Sequence, residues 1–177
     1  MRRFAFVVFV VVTLLAVSVS VHAGTGDLHC VVEVQHEQSS GQLVGRAERC
    51  YQTFAEVISD VSKGSISVPE SFTAPDLLAS PTVAAQLADF VLGTHFEGAS
   101  GSGSSISVTG GSCSGGYWNT GTAWANRISS SYNGCGRLAH YDLPGKSGSV
   151  ESTYGAGTTD NLGFMNNRTE SVAYFSS

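Results

Sequence analysis

An internal repeat in the second half of the chain limits the possible fold more than any other feature. Residues 95–97 (HFE) are echoed by residues 140–142 (HYD). Each triplet is followed by a glycine-bearing turn and a short alternating run, and the copies end on related strings at 124–130 and 165–171. Short alternating runs without helical periodicity predict antiparallel strands. Two copies of roughly 40 residues therefore predict two four-stranded units that share one core.

Composition shifts near residue 93, and we place the boundary between two units at residue 90. The repeat occupies residues 91–177, with copies at about 91–131 and 136–177, and this half is dominated by glycine and serine. Most charged residues and all clear helical periodicity lie before it. We therefore expect a mainly β protein in which a small α+β unit with its own disulfide, residues 24–90, precedes a β domain.

Three elements are predicted in the first of these units. Residues 28–34 form a β-rich run. Apolar residues recur on one helical face over residues 46–61, and Lys63 and Gly64 follow as a helix stop, so we predict a helix there. Pro81 is expected to open a second, short helix reaching residue 90.

The first residues are typical of a secretory signal peptide. Arg2 and Arg3 precede an apolar run, and Ala23 supplies the small residue before a cleavage site. We predict removal of residues 1–23 and an extracellular location, with no membrane attachment after cleavage. The remaining chain has twice as many acidic as basic side chains. This charge argues against a nucleic-acid partner, because such proteins need a basic face to neutralise phosphates.

Four cysteines are expected to form disulfides in an oxidising compartment. Cys30, Cys50, Cys113 and Cys135 can pair in three ways. None belongs to a C-x-x-C motif, which argues against structural zinc and thioredoxin-like redox chemistry. Because two cysteines lie in each half of the chain, we predict the pairs Cys30–Cys50 and Cys113–Cys135.

The triplets and the closing strings together resemble the βγ-crystallin-like Greek-key superfamily. Within it, the chain is most similar to the secreted actinobacterial branch, which contains a metalloproteinase inhibitor and a killer-toxin-like protein. The superfamily string is Asn/Asp-Asn/Asp-x-x-Ser/Thr-Ser, and residues 125–130 and 166–171 match it in part. The resemblance covers residues 91–175. It implies a double Greek-key sandwich and a secreted peptidase inhibitor, or alternatively a calcium-binding structural module or an antimicrobial toxin.

The closing strings also imply a possible cofactor, calcium. Family members that bind it place oxygen ligands from the paired strings around each ion, which needs six to eight of them. Ala125 and Glu170 depart from the pattern, so we expect weak binding or none. The alternative is that these polar side chains cap turns. The candidate ligands are Asn126, Ser129, Asn166 and Asn167.

No catalytic constellation is recognisable, so we expect a binding protein rather than an enzyme. The histidines are not spaced as in H-E-x-x-H, and G-x-S-x-G is absent from the sequence. The extra residues of the first repeat lie between Cys113 and Cys135 and include Tyr117 and Trp118. A disulfide-closed loop with aromatic anchors suits recognition of a secreted protease or another extracellular protein. The alternative is a long hairpin loop that the disulfide merely holds.

Overall fold

The computed structural model describes residues 26–177, and the predicted signal peptide lies outside them. The described chain is mainly β, with ten strands, three α-helices and two 3₁₀ helices. The strands are β1 (His29–His36), β2 (Leu43–Tyr51), β3 (Gly93–Phe96), β4 (Ser105–Thr109), β5 (Ser114–Asn119), β6 (Ser130–Asn133), β7 (Arg137–Leu143), β8 (Ser147–Tyr154), β9 (Thr159–Asn161) and β10 (Ser171–Phe175). The helices are α1 (Phe54–Ser62), α2 (Pro81–Leu87) and α3 (Gly121–Trp124), with 3₁₀ helices at Ala74–Ala79 and Ala99–Gly101.

The strands form two sheets. Sheet A has the order β2-β1-β4-β3-β6-β9, and sheet B has the order β5-β10-β7-β8. Neighbours are antiparallel except for β1 and β4, which are parallel. The first repeat supplies β3 to β6 and the second supplies β7 to β10, but each sends its third strand into the other sheet. The two repeats are therefore interlocked through β5 and β9.

The main core contains side chains from both sheets. Successive residues of a strand point to opposite faces, so one residue in two faces the opposite sheet. Ile106 and Val108 of sheet A belong to the same buried cluster as Leu138 and Tyr174 of sheet B. Each sheet thereby covers the inner face of the other, which removes a large apolar surface from water.

A helical layer covers the outer face of sheet A. Phe96 and Tyr132 point outward from that sheet and are buried in a second cluster with Phe54 of α1 and Leu87 of α2. The N-terminal segment also joins the sheet, because β1 pairs with β4. Residues on the two sides of position 90 thus share one sheet and two cores, although the sequence suggested a separate appended unit.

The helix predicted over residues 46–61 begins later than expected. Residues up to Tyr51 belong to β2, and α1 starts after Thr53. The Thr53 side chain accepts a hydrogen bond from the backbone of Glu56 at 3.3 Å, and the Glu56 carboxylate accepts one from the backbone of Thr53 at 3.0 Å. This capping box marks the start of the helix. The apolar stripe continues before it, which is why the helix was predicted to begin earlier. The helix predicted to open at Pro81 is present as α2, but it ends at Leu87 and not at residue 90.

Both predicted disulfides are confirmed. Cys30 lies directly opposite Cys50 in the β1–β2 pair, so this bridge joins two strands rather than a strand and a helix. Cys113 precedes β5 of sheet B, and Cys135 follows β6 of sheet A. The second disulfide therefore ties the two sheets together at one end.

Candidate functional site

Tyr117 and Trp118 lie in strand β5 and not in a loop. Trp118 faces the core, is only 6 % exposed and stacks on His95 with ring centroids 6.0 Å apart. Tyr117 faces the other way and is partly exposed, with the Lys146 ammonium 5.1 Å from its ring centre. Because neighbouring residues of a strand point to opposite faces, only one of the two can be exposed. Trp118 is a core residue, which corrects its predicted role as an exposed anchor.

The two closing strings lie side by side and make equivalent contacts. The backbone N–H of Asn126 donates to the carbonyl of Thr169 at 2.9 Å, and that of Asn167 donates to the carbonyl of Ile128 at 2.9 Å. Both asparagines adopt a positive φ, 61° and 55°, a conformation that Asn tolerates better than most residues. The two strings are thus related by an approximate two-fold symmetry. This arrangement places the predicted calcium ligands near one another.

Two of the four candidate ligands bond to each other, and a third bonds to Glu170. Asn126 Nδ2 donates to Glu170 Oε1 at 3.1 Å, and Ser129 Oγ donates to Asn167 Oδ1 at 3.2 Å. Asn166 is exposed and joins neither pair. The first pair therefore offers one carboxylate and the second offers none.

Each of these pairs also has an arginine beside it. Arg127 follows Asn126 and pairs with Glu97, while Arg168 follows Asn167 and pairs with Asp142 at 3.1 Å. A calcium ion would need six to eight oxygen ligands, whereas the oxygens of Glu170 and Asn167 already accept hydrogen bonds and the two arginines engage the carboxylates of Glu97 and Asp142. The residues present do not fit this ion. The one three-residue cluster of metal-type side chains within residues 26–177 contains both cysteines of the Cys30–Cys50 disulfide.

We therefore predict that calcium will leave the melting temperature unchanged. An ion that binds only the native state raises its stability, by about 2.7 kcal/mol at a hundredfold excess over its dissociation constant. Thermal unfolding in EDTA, in excess calcium and in magnesium as a control measures this effect. A calcium-specific increase of several degrees that Asn126→Ala abolishes would contradict the prediction.

A buried histidine pair connects the two repeats. His95 of β3 and His140 of β7 hold equivalent repeat positions, and their ring centroids are 5.7 Å apart. Ser131 Oγ lies 2.8 Å from His95 Nδ1 and 2.9 Å from His140 Nε2. Burial lowers the pKa of both imidazoles, that of His140 to about 4. Because neither side chain is exposed, the pair is placed to hold the core together and not to contact a substrate.

A cleft of about 490 Å³ lies between the start of β1 and the helical layer. Its lining includes His29, Asp27 and Glu70. His29 Nδ1 lies 2.9 Å from Ser105 Oγ, and burial lowers the pKa of its imidazole. Within the described residues, no hydrogen bond joins His29 to either carboxylate, so the groups are not assembled into an acid–base pair.

Phe164 projects from the connection between β9 and β10 on a fixed turn. Its side chain is 55 % exposed. The Glu151 carboxylate accepts the backbone N–H groups of both neighbours, Gly163 at 2.7 Å and Met165 at 2.9 Å. Met165 is fully buried, which anchors the turn in the core. Phe164 was not predicted from the sequence, although the repeat carries a signal: the first copy has the small residue Ala123 at this position.

Sheet B carries aromatic side chains on its outer face. Tyr154 is 63 % exposed, and Tyr117, Tyr141 and Phe175 are partly exposed. Of these, only Tyr117 was predicted from the sequence to be a binding residue. The others alternate with core residues along β7, β8 and β10, which is the signal that could have found them.

Comparisons with known proteins give no relative: no family model, no curated protein and no solved structure matches the chain. Within residues 26–177, no helix combines the length and the apolar character needed to cross a membrane.

Proposed function

We propose that the chain is a secreted, non-enzymatic binding protein built on a βγ-crystallin-type double Greek-key sandwich. The strand order supports this fold, because the fourth strand of each repeat lies beside its first, β6 beside β3 and β10 beside β7. The exchange of the third strands, β5 and β9, relates the two repeats in the same way. Two disulfides suit an extracellular location.

Within this class, we propose that the protein acts as a peptidase inhibitor through the Phe164 turn. The observation that carries this proposal is an exposed aromatic side chain on a backbone that Glu151 holds on both sides. Aromatic residues are frequent anchors of protein interfaces. A segment that is already ordered before binding loses less conformational entropy in a protease cleft. The expected target is a secreted endopeptidase whose specificity pocket accepts an aromatic side chain.

Replacing Phe164 by alanine is expected to weaken inhibition by roughly 30-fold, which corresponds to about 2 kcal/mol for a dominant anchor. The melting temperature should change little, because more than half of the side chain is already in water. Inhibition constants are to be measured against a panel of secreted serine and metallo-endopeptidases that prefer aromatic residues.

Leu78→Ala is the matched control, since Leu78 is equally exposed, at 55 %, on the 3₁₀ helix. It should inhibit as the unchanged protein does. Glu151→Gln replaces one of the two acceptor oxygens. Its inhibition constant should lie between those of Phe164→Ala and the unchanged protein. Absence of inhibition across the panel, or full inhibition by Phe164→Ala, would contradict the proposal.

A further inference from the structure

We propose that the outer face of sheet B binds an anionic polysaccharide, by a surface separate from the Phe164 turn. This face consists of the side chains of β5, β10, β7 and β8 that point away from the main core, together with Lys146 from the turn between β7 and β8. Its principal side chains are Tyr117, Arg137, Tyr141, Val150, Tyr154 and Phe175.

The aromatic side chains are arranged across the strands. Phe175, Arg137 and Tyr154 are paired neighbours on β10, β7 and β8. Because adjacent strands are about 4.8 Å apart, Phe175 and Tyr154 lie roughly 10 Å from each other. This separation is comparable to the length of a disaccharide, so two rings of one extended chain can meet one aromatic each.

Two small residues, both alanines, lie at the centre of the face. Ala139 and Ala173 point outward, in the same cross-strand row as Tyr117, yet they are 2 % and 0 % exposed. Larger neighbouring side chains must therefore lie across them. Among the aromatic side chains of the face, Tyr154 is the most exposed, at 63 %, and the C–H groups of a sugar ring can pack against such a ring.

The equivalent face of sheet A shows what sheet B lacks. Phe96 holds the repeat position of Tyr141, and it is fully buried, with its ring centroid 6.1 Å from that of Phe54 in α1. Tyr132 holds the repeat position of Ala173, and its hydroxyl donates to the carbonyl of Ala84 in α2. The helical layer thus covers the aromatics of sheet A, whereas Tyr141 and Tyr154 are left to water.

The charge of the face indicates an anionic ligand. Arg137 and Lys146 have no ion-pair partner among residues 26–177. The Arg137 guanidinium lies 4.1 Å from the centre of the Phe175 ring, and its Nε is buried without a hydrogen-bond acceptor in this part of the chain. Two uncompensated cations in an acidic protein make this face a local positive patch.

The carboxylates of sheet B do not neutralise this patch. Asp142 accepts a hydrogen bond from the backbone of Ser149 at 2.7 Å and pairs with Arg168. Glu151 is engaged with the backbone of the Phe164 turn. These are the only acidic residues in the four strands, so both cations remain free for the acid groups of a ligand.

The size of the face favours a polysaccharide over a protein. Four strands with three outward-facing rows give an area on the order of 300 Å². A stable protein interface buries about 800 Å² on each partner. A second copy of the chain would also bring Arg137 and Lys146 close to their own equivalents, and such like-charge contacts are unfavourable. A linear chain of a few acidic sugars fits the area of the face, can stack on its aromatic rings and can pair with its two cations.

Calorimetry tests this proposal by measuring the binding of three polymers: polygalacturonate, heparin as a sulfated probe, and a neutral linear glucan. Each titration is made at low and at high salt. We expect one or both anionic polymers to bind, with an affinity that falls as salt rises, and the neutral glucan to bind at least tenfold more weakly. Tyr154→Ala and Lys146→Gln should each weaken binding at least fivefold, and Lys146→Gln should also reduce the salt dependence.

The chain offers a matched control for each variant. Lys63, like Lys146, is a lysine with positive φ and no ion-pair partner in the described chain, so Lys63→Gln should bind normally. Phe164→Ala controls for loss of an exposed aromatic outside the face. It should bind the polymer normally even where it loses peptidase inhibition, so the two proposals can fail separately. Three outcomes would overturn the proposal. The first is no binding to either anionic polymer, and the second is normal binding by both single variants, Tyr154→Ala and Lys146→Gln. The third is binding to polyglutamate as strong as binding to the polysaccharides.

Discussion

Replacing Trp118 by alanine is expected to lower the free energy of unfolding by about 3–5 kcal/mol, the usual loss for a large aromatic residue removed from a core. Trp118 belongs to the main core cluster and stacks on His95, so the change leaves a cavity between the sheets. Globular domains are stable by only about 5–15 kcal/mol, so this variant should unfold at much lower denaturant concentration. Urea unfolding followed by circular dichroism measures the difference.

The neighbouring residue is the natural control. Tyr117→Ala removes a partly exposed side chain from the outer face of sheet B, and its loss should stay within about 1 kcal/mol. Trp118→Phe, which keeps an aromatic ring against His95, should be intermediate and remains measurable if the alanine variant does not fold. Equal small losses for both alanine variants would mean that β5 is not part of the sheet, and that both aromatics are free for binding.

The sequence predicted the repeat and the disulfides well because both depend on local or pairwise rules. His95 and His140 recur in the same local context, and the structure places them in equivalent strands. The exchange of β5 and β9 between the sheets was not predictable in this way. Which strand pairs with β10 or β6 depends on contacts between residues far apart in the chain.

The wrong predictions share a physical cause, which is that tertiary contacts outweighed a local pattern. Residues 46–51 continue an apolar helical stripe but pair as a strand, because β1 offers a long edge and Cys50 meets Cys30 across it. The first repeat has extra residues around Trp118, yet their register against β10 makes them a strand. The repeat and the strand alternation mark Phe164 and Tyr154 as candidates, but these local signals do not determine their exposure, since exposure depends on which elements cover each face.

Acidification should destabilise the protein well above the pH at which carboxylates titrate. His95 and His140 lie at the centre of the main core, and burial disfavours their charged forms. The carbonyl of Glu151 opposes this effect at His140 only in part, so the pKa of His140 remains near 4. The neighbouring His95 adds to the effect, because a charge on one imidazole repels a charge on the other.

The direction of the effect follows from proton binding. In the unfolded chain each imidazole takes up a proton near pH 6.5, whereas native His140 does so only near pH 4. Between these values the unfolded state binds more protons, so the free energy of unfolding falls as the pH is lowered and is independent of this group above about pH 7. At about 1.4 kcal/mol for each pH unit, His140 alone accounts for a loss of about 3 kcal/mol between pH 6.5 and 4. His95 contributes in the same direction.

Denaturant unfolding at intervals from pH 7 to pH 4, followed by tryptophan fluorescence, measures this loss. His140→Gln removes the titrating group while keeping an amide that can reach Ser131, so it should be less stable at pH 7 but lose less stability on acidification. His36→Gln is the control, because His36 is exposed, and its pH profile should match that of the unchanged protein. If His140→Gln loses as much stability as the unchanged protein, the acid sensitivity belongs to other groups. A reduced loss would instead show that the contact joining the two repeats depends on a neutral imidazole.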